Sequence, residues 1–110
     1  MPFYMLQGSF KEEQVKALVD RPRNREGAAR EFIESFGGKL HQYFLAFGEY
    51  DVVVIAEYPN NEAATAAALK AMSTGVFSKA QTTVLMTGAE AESSMKKANT
   101  TKTTYKPPAG

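Results

Sequence analysis

Four side chains in the 110-residue sequence have the types and spacing for acid–base or ligand-orienting chemistry: His41, Tyr43, Tyr50 and Asp51. His41 is the only histidine, and imidazole is the side chain whose unperturbed pKa lies nearest neutrality. It alternates with Lys39 and Tyr43, so on a regular strand the three share a face and line one side of a cavity. That arrangement suits proton transfer on a small phenol, quinone or lactone. The plainer reading is a strand histidine packed against a neighbour. Tyr50 could orient a ligand through its hydroxyl, with Asp51 as base or anchor for a cationic group. Turn chemistry also accounts for this pair: Asp51 can accept backbone amides in its own turn, and Tyr50 can plug a hairpin end. The candidate catalytic residues are therefore His41, Tyr50 and Asp51, and the candidate ligand contacts are Tyr4, Lys39 and Tyr43.

Other chemistries have little to stand on. With one His and no Cys, a metal would need carboxylates such as Glu49, Asp51 and Glu57, which show no ligand spacing, so no metal and no cofactor are expected. No Gly-rich phosphate loop, nucleophile elbow or Ser/His/Asp set is present. Arg21, Arg23, Arg25 and Arg30 form a basic run that could grip an anionic ligand or a partner's carboxylate. With Glu26 and Glu31 interspersed, the run reads as a solvated helix face.

The elements that position these residues are organised by one stretch, residues 46–58. The β-branched run Val52 to Ile55 is a central strand. Residues 39–47 form the strand before it, and Gly48-Glu49-Tyr50-Asp51 links the two, with Gly48 where a positive φ would be needed. Upstream, residues 3–10 read as a strand and residues 11–20 as a short amphipathic helix with Val15, Leu18 and Val19 on its apolar side. Asp20 then caps, and Pro22 begins, a helix that buries Ala28, Ala29, Phe32, Ile33 and Phe36 and stops at Gly37-Gly38. Downstream, Asn60 opens an Ala-rich helix over residues 62–73 that Gly75 ends, and residues 81–86 form a fourth strand. Thr87 and Glu90 make a capping box for a polar helix reaching about residue 98. The order β-α-β-β-α-β predicts an α+β, ferredoxin-like domain: a four-stranded antiparallel sheet with its helices on one face, over residues 1–98. Residues 99–110 form a tail that is flexible or lies on a partner.

Both faces of this sheet read as apolar. Val52, Val54 and Ala56 oppose Val53 and Ile55, and Leu40, Phe44 and Ala46 oppose Tyr43, Leu45 and Phe47. Helices cover only one face, and a bare apolar face exceeds what monomers expose, so a homodimer or higher oligomer is expected through the open side. A formal net charge of +1 provides no field for nucleic acid, and no apolar run is long enough to span a membrane. With no cysteine and no leader-like start, a cytoplasmic setting is expected.

Gly48-Glu49-Tyr50-Asp51-Val52-Val53, with Pro2-x-Tyr4, Pro22, Phe36-Gly37-Gly38-Lys39 and Glu57-x-Pro59, resembles the GYD domain family. The closing Tyr105-Lys106-Pro107-Pro108-Ala109-Gly110 is similar to a tail on some members. The resemblance implies a ferredoxin-like fold within the dimeric α/β-barrel group. That group includes cofactor-free monooxygenases, lactone isomerases, heme-degrading enzymes and ligand-sensing domains. It implies no settled activity, and heme ligation through His41 would rest on that group alone. The leading reading is a homo-oligomeric small-molecule-binding or interaction module. The alternative is a cofactor-free monooxygenase or isomerase using His41, Tyr43, Tyr50 and Asp51; a purely assembling subunit is the third.

Overall fold

The computed structural model describes residues 1–109; Gly110, the end of the expected tail, lies outside the described residues. The elements run β1 (Phe3–Phe10), α1 (Glu12–Asp20), α2 (Glu26–Ser35), β2 (Lys39–Leu45), β3 (Val52–Glu57), α3 (Asn61–Ser73), β4 (Phe77–Leu85) and α4 (Gly88–Thr100). The four strands form one sheet in the order β2-β3-β1-β4, every neighbouring pair antiparallel. This is the ferredoxin-like α+β arrangement. No helix among the described residues is long and apolar enough to cross a membrane.

The helices are punctuated by local chemistry. Gly37 (φ 76°) ends α2: its N–H donates to the Glu34 carbonyl while that of Gly38 reaches Ile33, which satisfies two carbonyls at the helix end. Asn60 caps α3 by accepting the Ala63 N–H at 2.9 Å, and Gly75 (φ 77°) follows its last turn. Thr87 and Glu90 form the reciprocal capping box of α4, which runs past the expected end at residue 98 to Thr100. Asp20 does not cap α2. It stays within α1, bonded to Lys16 one turn earlier, and Asn24 supplies the Glu26 N–H with its acceptor at 2.9 Å instead. Residues 21–25 are therefore loop, so Arg21, Arg23 and Arg25 do not share the helix face their sequence suggested, and only Arg30 of the run lies on α2, paired with Glu26.

The core lies between the sheet and the helices. Tyr4, Leu40, Val52, Val54, Ala56 and Tyr58 from the sheet side pack with Ile33, Ala64 and Ala67. The alternation in β3 puts Val52, Val54 and Ala56 inward and Val53 and Ile55 on the open face. In β2 the expected alternation fails. Leu40 pairs with Ala56 but Gln42 pairs with Ile55, so His41 is an extra residue bulged out of the ladder. Beyond the bulge Tyr43 and Leu45 oppose Val54 and Val52, and so share the helix side with Leu40, while Phe44 opposes Val53 on the open face. In α1 the stripe turned inward is Gln14, Ala17 and Leu18, and the expected apolar pair Val15 and Val19 is exposed. β4 begins at Phe77, four residues earlier than the apolar pattern indicated, because backbone pairing with β1 carries the polar stretch Ser78-Lys79.

Gly48, where a positive φ was expected, has none, and a Cβ there would meet nothing within 4 Å. Gly38 is the demanding position: a Cβ would stand 2.6 Å from the Glu57 carbonyl oxygen and 2.8 Å from both Ile33 Cγ2 and Tyr58 Cδ1. Gly38→Ala is expected to lower stability by about 1–3 kcal/mol through overpacking, and Gly48→Ala to stay within about 0.5 kcal/mol. Urea unfolding of the two variants measures the contrast, and equal midpoints would contradict this packing.

Candidate functional site

The residues singled out by the sequence fall into three separate places. The first is the hairpin end. Asp51 donates its N–H to the Gly8 carbonyl (2.8 Å), accepts the Ala46 N–H (2.8 Å) and receives the Phe10 N–H on its carboxylate (2.9 Å). The Ser9 hydroxyl donates to the Glu49 carbonyl at 2.6 Å, and the Tyr50 hydroxyl donates to Gln81 at 2.8 Å. Lys79 closes the group, 3.1 Å from Glu49 and 5.1 Å above the Tyr50 ring. Gly48-Glu49-Tyr50-Asp51 is thus a staple that fastens the β2–β3 connection across β1 to β4.

The second place is the open sheet face. His41 Nε2 lies 2.7 Å from Glu57 Oε2, and its ring is 5.2 Å from Phe3. Lys39 pairs with Glu57 on the same face. Tyr43 lies on the other face, so Lys39, His41 and Tyr43 do not line one wall as expected; the bulge at His41 shifts the alternation by one residue. The bond from His41 holds the Glu57 carboxyl below its ordinary value of 4.5, against a smaller opposing effect of burial.

The third place is a cavity of about 380 Å³ between sheet and helices, and of the named candidates only Tyr43 lines it. Its walls are mainly apolar, with Leu6, Val52 and Val54 from the sheet, Ala28, Ala29, Phe32 and Ile33 from α2, and Ala67, Ala68 and Ala71 from α3; Gln7, Gln14, Thr74, Gln81 and Thr82 are also on the lining. One end is built by Phe10 and Phe77, whose rings stack at 5.3 Å. Gly8 makes room for this stack, since a Cβ there would come within 2.7 Å of the Phe77 ring. Asp51 holds the backbone of Phe10, so the staple supports a cavity wall without facing into it. Tyr4, the remaining candidate, is buried beside the cavity and donates to Asn61 at 2.6 Å.

The polar groups on the lining were mostly not anticipated. Arg23 and Arg25 from the α1–α2 loop line it, and so does Tyr58, which is 1% exposed. Burial pushes the Tyr58 hydroxyl up to about 12 and raises that of Tyr43, whose shift Arg25 opposes. Both phenols are neutral at physiological pH and available as donors. Tyr58 continues the inward alternation of Val52, Val54 and Ala56, a signal the sequence carried; the placement of Arg23 and Arg25 depended on where α2 begins.

The fold and this cavity define a ferredoxin-like domain with a partly open, largely apolar space between its layers. The GYD domain family matches residues 4–95, and the chain belongs to that family. Among solved structures, that of MtbAldR is similar in fold, with a TM-score of 0.51 at 12% identity over 78% of this chain and 52% of that one. The chain thus spans about half the length of that protein. No match is found among the curated proteins.

Two tests follow from the geometry. Asp51→Ala leaves the Phe10 N–H without its acceptor and is expected to cost about 1–3 kcal/mol, read as a lower thermal midpoint. For the second, a carboxyl with a depressed folded pKa stabilises the fold above its unfolded pKa, and that contribution is lost as pH falls through the folded value. The stability difference between wild type and Glu57→Gln should therefore be present at neutral pH and vanish on acidification below 4.5. A difference independent of pH would contradict the His41–Glu57 pairing.

Proposed function

We propose that this GYD-family chain is a small-molecule-binding module that works as a homo-oligomer. The cavity carries the reading. At about 380 Å³ it falls in the range of ligand pockets, with apolar walls and a few convergent polar groups. The acid–base enzyme reading finds little support, because His41, Tyr50 and Asp51 lie in two places outside the cavity, whose lining contains no His, Asp or Glu.

The oligomer is argued from the open sheet face. Phe3, Met5, Val53 and Ile55 are half-buried there with no helix above them, and Phe44 is 53% exposed. We assign this face to a second copy of the chain, since the face belongs to every copy and a two-fold contact satisfies both at once. No residue of α4 is itself buried, and Met95 on it and Tyr105 beyond it are exposed. A helix of 13 residues gains little stability alone, which suits an arm resting on that second copy. The cytoplasmic setting expected from the cysteine-free sequence belongs to the same proposal.

A neutral apolar dye such as Nile red tests the binding reading on the full chain. Wild type is expected to enhance its fluorescence saturably, and Ala71→Phe, which fills the cavity from α3, to weaken binding about tenfold or more. Circular dichroism confirms that the variant is folded. A wild type that binds no dye, or a folded variant that binds equally well, overturns the reading. Sedimentation velocity at micromolar concentration tests the assembly: a dimer or larger is expected for wild type and a monomer for Ile55→Glu, and a wild-type monomer would contradict it.

A further inference from the structure

We propose that the cavity selects an amphipathic carboxylate, its apolar body enclosed between the sheet and the helices and its carboxylate held by Arg25 and Arg23 beside the Tyr43 hydroxyl. This rests on the small-molecule reading above and narrows it to a chemical class.

The first observation is the charge on the lining. Its ionisable groups are two arginines and two tyrosines, Arg23, Arg25, Tyr43 and Tyr58, with no Asp, Glu, Lys or His among them. The tyrosines are neutral, so the only formal charge on the lining is positive, carried by two exposed loop arginines at the edge of an apolar space.

The second observation is that one of these cations is uncommitted. Among the described residues Arg25 has no carboxylate partner. Its neighbour Glu26 is taken by Arg30 at 3.1 Å. Arg23 donates to the Arg21 carbonyl at 2.7 Å, which shapes the loop and leaves further guanidinium donors free. A guanidinium presents its donors as a planar fork that matches the two oxygens of a carboxylate.

The third observation comes from inside. Tyr58 is 1% exposed and lines the cavity, and among the described residues its hydroxyl has no hydrogen-bond partner. No side-chain polar atom sealed from solvent lacks a partner among the described residues, so the unbonded Tyr58 hydroxyl is one that opens onto the cavity, where a ligand or water can reach it. Tyr4, stacked edge-on against Tyr58 at 5.7 Å, shows the contrast: its hydroxyl is satisfied by Asn61. The remaining lining is mainly aliphatic and aromatic, with Gln7, Gln14, Thr74, Gln81 and Thr82 as its polar members, and suits a largely apolar body. A cationic ligand would meet two arginines without a counter-charge, and a fully polar anion would leave the apolar walls wet.

A matched trio of probes differing only in the head group tests the class: 3-phenylpropanoate, 3-phenylpropan-1-ol and 3-phenylpropan-1-amine, titrated calorimetrically into the full-length chain. The acid is expected to bind about tenfold or more tightly than the alcohol, and the amine most weakly. Arg25→Gln, at an exposed loop position, should remove the advantage of the acid and leave the alcohol unchanged. Ala71→Phe should weaken all three. If acid and alcohol bind equally and both are weakened by Ala71→Phe, the carboxylate class is wrong while the binding reading stands. If none of the three binds, or Ala71→Phe changes nothing, the binding reading fails and takes this proposal with it.

Discussion

The space between the sheet and its helices is filled unevenly, and the other features of the molecule follow from that. At one end Tyr4, Tyr58, Ile33, Leu40 and Ala56 are buried to within a few percent, with the close approach at Gly38 and the Tyr4–Asn61 bond fixing the layers together. Toward the other end the helices present Ala28, Ala29, Ala67, Ala68 and Ala71, and α1 buries no residue fully. Alanines do not reach across the gap that the aromatic end has set. The helices are held apart by the filled end and cannot close on the sheet at the other. A partly open cavity is what remains, larger than the voids that closely packed interiors ordinarily leave.

The hairpin staple and the cavity are two parts of one arrangement. Asp51 and Ser9 hold the end of β1, β1 carries Phe10, and Phe10 stacks on Phe77 to close the cavity wall. Of the residues most suggestive of chemistry in the sequence, Tyr43 reaches the cavity, and Tyr50 and Asp51 act at one remove from it. Asp51 bonds backbone groups of Gly8, Phe10 and Ala46, and the Tyr50 hydroxyl bonds the Gln81 side chain. On the opposite face of the sheet His41 is likewise engaged, by Glu57.

The architecture was legible because its signals are local: the Val52–Ile55 run, the Gly37-Gly38 helix end, the Asn60 cap and the Thr87–Glu90 box each act within a few residues. The site was less legible because its placement depends on non-local terms. A single bulge at His41 moved Tyr43 to the far face from Lys39, and nothing in the alternation of residues 39–47 announces an inserted residue. The alanines of α3 were readable as a helix able to lie close on the sheet, yet whether small side chains mean close approach or empty space depends on what holds the layers apart. Arg23 and Arg25 read as a solvated helix face until the loop placed them at the cavity.

A small molecule bound in the cavity would lie on the helix side of β3, against Val52 and Val54. Methyl NMR separates this placement from the alternatives, because the two faces of one strand carry distinct probes: Val52 and Val54 inward, Val53 and Ile55 outward. In a titration with a small neutral aromatic such as indole, shifts and intermolecular NOEs are predicted at Val52, Val54, Ala67 and Ala71. Perturbations confined to Val53 and Ile55, or no perturbation at millimolar ligand, would contradict it.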